Sequence, residues 1–182
     1  MRPNYLKKES TMKRIIIALV ALLSCIGPLR AQKVGYVNTD EILNAIPAYV
    51  SAQNQLNTLS DKYKATIEEE YGKIETLYKN YQDNRASMSA SQRQAAENEI
   101  ISKERVVQEK QRIYFGEDGI MAKRADELLS PIRQRVDKAI EEVAAMGGYD
   151  LVLDLAAIQG IVYKNEKHDI TQFVIVRYNE NN

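Results

Sequence analysis

The sequence predicts an α+β fold, mostly α, in which a long antiparallel coiled-coil hairpin of two helices projects from a small body of β-strands. Residues 48–146 contain a single proline, Pro131, and carry apolar residues in steps of three and four, the spacing of one helix face. Short β-rich runs lie on both sides of this stretch. A helix of about 40 residues is about 60 Å long, so two such helices must pack on each other outside any globule of this size.

The first 31 residues have the composition of a cleavable export signal. Lys13 and Arg14 give a basic start, residues 15–26 form an apolar run, and Ala31 ends a segment that resembles a cleavage site. The run is shorter than the roughly 20 residues that a bilayer requires, so we expect no transmembrane segment in the mature chain. Cleavage would leave Gln32 as the N-terminus and predicts a periplasmic location.

Two alternatives to this processing stay open. Met12 is a second candidate start of translation, because residues 1–11 are polar. Residues 22–25 (LLSC) resemble a degenerate bacterial lipobox, in which Cys25 would carry a lipid that anchors the protein in the envelope. Cleavage after Ala31 instead removes the only cysteine and excludes disulfides and a catalytic thiol from the mature chain.

Charge and motif content argue against nucleic-acid binding and catalysis. The chain has 25 Lys and Arg against 25 Asp and Glu, and the leader holds six of the basic residues but one acidic residue, so the mature chain is mildly acidic. A nucleic-acid partner requires a clustered basic excess, which the sequence lacks. The single histidine, His168, lies in a polar run, and the sequence has no Gly-rich phosphate loop, metal-ligand spacing or nucleophile elbow. We therefore predict no enzyme and no cofactor.

The mature chain begins with a predicted strand and a short helix. Residues 33–38 are a β-rich run bounded by polar residues. Thr39 is suited to cap a helix that carries Asp40 and Glu41 in its first turn, because a hydroxyl accepts from the free amides there and acids favour a helix start. Pro47 ends this short helix.

The outgoing helix of the hairpin carries one apolar face, which lapses at residues 84–90, where serines cluster. Either Ser89 with Gln92 or Ser91 with Gln94 has capping-box spacing. We place the hairpin tip in this segment.

The return helix has a seam of apolar residues seven apart, the repeat of a coiled coil. They are Ile100, Val107, Tyr114, Met121 and Leu128. Pro131 predicts a kink near Leu128. Gly116 and Gly119 lie inside this helix, where each weakens it, and we predict that they form a hinge in the hairpin; tolerated surface glycines are the alternative.

The chain after residue 146 returns to short strands. Residues 147–148 (GG) stop the return helix, and residues 149–155 and 160–163 are predicted as two further strands. Residues 172–178 have strand propensity, whereas residues 169–171 (DIT) offer helix caps, so both assignments fit the end of the chain. Three short strands bury little core and leave edges that recruit other chains, so we expect self-association through the strands.

In order and length these elements resemble the Skp/OmpH-like periplasmic chaperone family. The most specific pieces are residues 33–38, 149–154 and 169–171, whereas the helices between match in length and character only. The resemblance implies a homotrimer whose strands form a small central barrel. Three hairpins, the tentacles, would surround a cavity that holds unfolded outer-membrane proteins without ATP. It also implies a final helix after residue 171.

The predicted layout divides the mature chain into a body, residues 32–47 and 147–182, and a tentacle, residues 48–146. We expect trimer contacts from apolar residues of the body, namely Val34, Tyr36, Leu151, Leu153, Ile161 and Tyr163. We expect client contacts from apolar residues of the tentacle, namely Tyr78, Tyr81, Tyr114 and Val107. A broad ring with a polar tip suits contact with varied clients. Two alternatives stay open: the tyrosines pack one helix on the other, or the protein is an envelope coiled coil that spaces or tethers other proteins.

Overall fold

The structure is a computed structural model, and it describes residues 32–181. The predicted leader, with Met12, Cys25 and the cleavage point at Ala31, lies outside the described residues. The elements in chain order are β1 (Val34–Val37), α1 (Thr39–Asn44), α2 (Pro47–Asn84), α3 (Ala90–Phe115), α4 (Ile120–Gly147), β2 (Leu151–Asp154), a 3₁₀ turn (Glu166–His168) and α5 (Thr171–Glu180). The fold is α+β and mostly α, as the sequence predicts.

The sheet consists of two parallel strands, and the helical hairpin is the crossover between them. β1 pairs with β2 from Val34 opposite Leu151 onward. On the other side of β1, the Tyr36 carbonyl accepts a hydrogen bond from the Ile170 amide at 2.9 Å. Both edges of β1 are therefore occupied, and β1 lies at the centre of the body.

The start of α1 is held by hydrogen bonds to the distant strand β2. The Asp154 carboxylate accepts from the Thr39 amide at 3.2 Å and from the Thr39 hydroxyl at 2.7 Å. The helix cap is Asn38, whose side-chain oxygen accepts from the Glu41 amide at 3.3 Å. The prediction of Thr39 as the cap is therefore wrong: Thr39 is the first residue of the helix, and its hydroxyl donates to a carboxylate 115 residues away in the sequence.

The body core is formed by β1, α1, α5 and the inner ends of α2 and α4. Its buried members are Val37, Ile42, Ile46, Ala52, Leu56, Leu129, Ile132, Val136, Ala139, Val143, Ile170, Val174 and Tyr178. Within α5, Thr171, Val174 and Tyr178 are buried at a spacing of three and four, which is that of one helix face. The final helix implied by the family resemblance is confirmed, and packing on the core decides against a strand there.

The long helix α2, with 38 residues, runs beside two helices rather than one. α3 ends at Phe115 and α4 starts at Ile120, so the prediction that Gly116 and Gly119 lie inside one continuous helix is wrong. A Cβ at Gly116 would lie 2.5 Å from the Arg112 carbonyl oxygen, and one at Gly119 would lie 2.8 Å from the Gly116 carbonyl oxygen. The turn between the helices is tight enough to require glycine at both positions, and hinge motion there stays a prediction.

The local signals at the hairpin tip and at the end of α4 act as predicted. The Ser89 hydroxyl accepts from the Gln92 amide at 3.3 Å, and the Gln92 side chain accepts from the Ser89 amide at 2.8 Å, which completes a capping box. α4 continues through Pro131 and ends at Gly148, whose φ of 62° is left-handed. A kink at Pro131 stays a prediction.

The predicted third strand is wrong within the described chain. Residues 160–163 form no strand, and Ile161 and Tyr163 are exposed. A strand requires a neighbouring strand for its amides and carbonyls, and in the described chain residues 160–163 pair neither with β1, whose two edges are occupied, nor with the open outer edge of β2.

Candidate functional site

The outer part of the hairpin has a narrow core of its own, separate from the body core. Ile67 and Ile74 of α2 pack with Ile100 and Val107 of α3, and all four are buried. Val107 has 1% of its surface exposed. In this arrangement Val107, a predicted client contact, joins the two helices and has no surface free for a client.

Three aromatic residues pack α2 against the end of α3, next to the break between α3 and α4. Tyr63 of α2 stacks on Tyr114 of α3 with ring centroids 4.1 Å apart and planes 12° from parallel. Phe115, the last residue of α3, meets Tyr63 edge-on at 6.4 Å. Such pairs contribute roughly 0.5–1.5 kcal/mol beyond their buried area. The contact supports the helix-packing interpretation for Tyr63 and for the covered face of Tyr114.

The two tyrosines nearest the tip differ in their contacts and in their exposure. The Tyr81 hydroxyl donates to the Glu97 carboxylate, and this hydrogen bond, with desolvation, raises the pKa of Tyr81. The Tyr78 ring is 52% exposed. Tyr81 therefore anchors α2 to α3, whereas Tyr78 presents a ring to the outside.

An ion-pair cluster ties the middle of the hairpin together. The Lys110 ammonium of α3 lies 2.9 Å from the Glu70 carboxylate of α2, and Lys73 lies 3.7 Å from the same carboxylate. The hydrogen bond from Lys110 lowers the pKa of Glu70. About 100° further round α2, the Tyr71 hydroxyl reaches Gln111 at 3.4 Å.

Large apolar side chains are exposed along the outer hairpin. They are Tyr71, Tyr78, Ile101, Val106, Ile113 and Phe115. The last four were not among the residues predicted from the sequence. The sequence did contain a sign of their exposure. These residues are apolar but do not fall on the seam of residues seven apart, so the pairing of two helices leaves them uncovered. Val106 and Ile113 share one face of α3, as Tyr71 and Tyr78 share one face of α2, and exposed apolar surface of this kind is typical of a binding surface.

The predicted trimer contacts fall into two groups in the body. Tyr36 is buried, and burial together with the charge of Asp169 raises the pKa of its hydroxyl. Val34 and Leu153 are partly buried. The exposed apolar residues are Leu151, Ile161 and Tyr163, joined by Val162, which is 99% exposed and was not among the predicted contacts. In a strand, Val162 would lie on the face opposite Ile161 and Tyr163, but residues 160–163 form no strand.

Two further observations concern the described residues alone. No helix formed by residues 32–181 is long and apolar enough to cross a membrane. In the same part of the chain, no three His, Cys, Asp or Glu side chains come together as metal ligands would.

These features define the class of protein. It is a coiled-coil hairpin protein with a thin core between its helices, a small sheet at its base, and exposed apolar side chains that can contact other molecules. Residues 33–178 match the family described as outer membrane protein (OmpH-like). The chain therefore belongs to the OmpH-like family, and the family resemblance predicted from the sequence is confirmed.

The chain is similar to proteins described as chaperone protein Skp. The one from Yersinia enterocolitica is 27% identical over 156 residues, which are 84% of this chain and 90% of the relative. The one from Photorhabdus laumondii is 27% identical over 150 residues, which are 81% of this chain and 89% of the relative. The solved structure of a candidate OmpH-like outer membrane chaperone from Caulobacter crescentus CB15 has a TM-score of 0.62 at 16% identity over 86% of this chain and 88% of that chain. That structure shares the fold.

Proposed function

We propose that this protein is an ATP-independent holdase chaperone of the periplasm, which binds unfolded outer-membrane proteins and prevents their aggregation. Unfolded barrel proteins expose apolar segments and unpaired strand edges, which aggregate by the same forces that fold them. A protein that covers these segments reversibly serves as a chaperone without catalysing a reaction or holding a cofactor.

The observation that carries the proposal is the set of large apolar side chains exposed along the outer hairpin. Ile67, Ile74, Ile100 and Val107 already form the core between the helices, so the exposed Tyr78, Ile101, Val106 and Ile113 are not needed to join them. Several weak contacts spread along a rod suit reversible binding of many unfolded chains. Membership of the OmpH-like family and similarity to Skp chaperones support the same function.

The proposal includes a homotrimer formed through the body. Among the described residues β2 pairs with β1 alone, which leaves the outer edge of β2 open. Leu151, Ile161, Val162 and Tyr163 expose apolar surface beside that edge or in the connection that follows it. Contacts with further copies would cover both features and set three hairpins around a shared cavity. The break at Gly116 and Gly119 would let each hairpin adjust to clients of different size.

The alternative of an envelope spacer is less well supported. A spacer held by a lipid at Cys25 requires a stiff rod, but it gives no reason for apolar side chains along the outer hairpin. The similar proteins described above are chaperones.

Native mass spectrometry of the exported protein tests the proposal. The protein is mixed with a urea-unfolded outer-membrane barrel protein, and the mixture is then diluted into buffer. We expect a soluble complex of three copies with one client. A trimer that leaves the client to precipitate would favour the spacer, and a monomer would refute the proposed assembly as well.

Two matched sets of substitutions on α3 test which surface holds the client. The first set replaces exposed apolar residues by serine, at Ile101, Val106 and Ile113. The second set replaces exposed polar residues by serine, at Gln94, Asn98 and Gln108. Both sets introduce the same residue into the same helix, but the first alone removes apolar surface. We expect the first set to lose client capture while the second retains it.

A further inference from the structure

A groove on the side of the outer hairpin lies between two exposed tyrosines. Tyr71 and Tyr78 are seven residues apart on α2 and therefore lie on one face, with 42% and 52% of their surface exposed. Together with Gly72 they line a groove of about 600 Å³. No side chain of the described residues fills the space above Gly72.

Gly72 is not required by the packing of the hairpin. A Cβ at this position would meet no atom within 4 Å, and its backbone is ordinary right-handed helix. Glycine in a helix interior lowers helix stability relative to alanine, so this glycine weakens α2 without relieving any clash. What its missing side chain provides is open space in the wall of the groove, beside Tyr71, Glu68 and Glu75.

The rim of the groove is acidic. Glu68 and Glu75 of α2 and Glu104 of α3 line it, and in the described part of the chain none of the three makes an ion pair. Across the hairpin, Lys110 is engaged with Glu70, and the charge of Lys103 acts on the same carboxylate. The groove therefore combines two free aromatic faces with three uncompensated carboxylates.

Three further lysines lie near this rim in the sequence: Lys64 precedes Glu68 by one turn and pairs with Asp61, Lys103 adjoins Glu104, and the third is Lys79. Lys79 follows Glu75 by one turn of α2 but makes no ion pair with it in the structure. An exposed pair at this spacing is weak, so it would compete poorly with a ligand held by several contacts.

We propose that this groove is a subsite for client segments in which a lysine or arginine lies next to an aromatic or apolar residue. The inference rests on the proposed chaperone function and names the class of segment that this surface selects. An apolar side chain packs in the space left open at Gly72 and against the exposed tyrosine rings that line the groove. The neighbouring cation lies against a tyrosine face and pairs with the carboxylates of the rim.

Fluorescent peptides provide the first test, with the protein expressed from the full-length chain. The probes are repeats of Gly-Ser-Phe-Lys, Gly-Ser-Phe-Gln and Gly-Ser-Phe-Glu, which differ only in charge. We expect the lysine peptide to bind about tenfold more tightly than the glutamine peptide, because three exposed ion pairs of ordinary strength correspond to roughly that factor. The glutamate peptide should bind most weakly, and high salt should reduce the differences. Equal affinities for the three peptides would overturn the proposal.

Matched variants locate the preference. The groove variant carries Glu68→Gln, Glu75→Gln and Glu104→Gln. The control variant changes the net charge equally at exposed glutamates outside the groove, with Glu99→Gln, Glu117→Gln and Glu141→Gln. We expect the groove variant to lose the roughly tenfold preference and the control variant to keep it. A preference that persists in the groove variant, or that both variants lose equally, would refute the subsite.

Gly72 provides a second test that does not depend on charge. Gly72→Leu fills the open space in the wall of the groove, whereas Gly72→Ala adds one methyl group and leaves most of it open. Both changes favour helix, so neither threatens the fold of α2. We expect Gly72→Leu to weaken the lysine peptide several-fold more than Gly72→Ala does. Equal binding by the two variants would show that this space is not used.

Suppression of client aggregation, measured in parallel, separates this inference from the proposed function. A protein that suppresses aggregation but shows no peptide preference overturns the subsite and leaves the holdase function intact. A protein with a groove-dependent preference that never suppresses aggregation supports the subsite and refutes the holdase function. If the groove variant changes the native mass of the assembly, the groove is a contact between copies and the proposal is wrong.

Discussion

Replacement of Val107 by alanine tests whether the outer hairpin has a core of its own. Val107 is 1% exposed, and its neighbour Val106 on the same helix is 48% exposed, so the pair differs in burial but not in chemistry. Val107→Ala removes two buried methyl groups, which costs about 1.6 kcal/mol of transfer free energy and about 2 kcal/mol with the cavity left behind. Val106→Ala should change the free energy of unfolding by less than about 0.5 kcal/mol.

Hydrogen exchange followed by mass spectrometry is the assay, because it reports local opening. In Val107→Ala, we expect faster exchange of amides in the outer parts of α2 and α3, while the body-core segments around Val136 and Val174 keep their protection. Alanine is a better helix former than valine by a similar amount at both positions, so this contribution cancels in the comparison. Equal effects of the two substitutions, or a uniform loss of protection in hairpin and body, would refute the assignment of a separate core.

Three further predictions concern single positions. Gly72→Ala should raise the stability of the hairpin by about 1 kcal/mol in thermal unfolding, because its methyl group enters open space. Asp154→Ala should cost about 1–2 kcal/mol in urea unfolding, because the start of α1 loses the acceptor of two hydrogen bonds. Hydrogen bonds from Asn181 and Arg177 lower the pKa of Glu142 in the folded state. Its ionised carboxylate therefore stabilises the fold at pH values above the ordinary glutamate pKa of about 4.3, and this stabilisation is lost as the pH falls through the lower pKa of the folded state. Glu142→Gln should flatten this acid limb of the stability profile.

Each of these predictions has a clear contradictory outcome. A loss of stability in Gly72→Ala would mean that the space above this residue is filled in solution. Asp154→Asn keeps an acceptor oxygen, so an equal loss in Asp154→Asn and Asp154→Ala would point to the charge rather than to the hydrogen bonds. An unchanged acid limb in Glu142→Gln, measured by urea unfolding between neutral and acidic pH, would show that other carboxylates govern it.

The site was only partly predictable from the sequence. The seven-residue spacing places Val107 in the seam, and the structure buries it there. The same spacing does not tell which off-seam residues are exposed, so Ile101 and Val106 were missed. Tyr78 and Tyr81 look equivalent in the sequence, but Glu97 lies within reach of only the second, and that contact depends on how α3 lies against α2.

The sequence by itself determined the features that rest on local chemistry. The serine cluster places the tip, although only the structure decides that Ser89 rather than Ser91 forms the capping box, and Gly148 ends α4 in a left-handed conformation, because both features depend on residues within one helical turn. The length and periodicity of residues 48–146 determined the hairpin, since two apolar helix faces of this length have only each other to pack against.

Only the tertiary structure decided the features whose partners are distant in the sequence. Residues 160–163 have strand propensity but in the described chain pair neither with β1 nor with the open edge of β2, so they form no strand. α5 is a helix because that conformation buries Thr171, Val174 and Tyr178 on the body core, which propensity did not reveal. Asp154 engages Thr39 and leaves the cap to Asn38. In each case the deciding energy lies in contacts that exist only after the two ends of the chain have come together around β1.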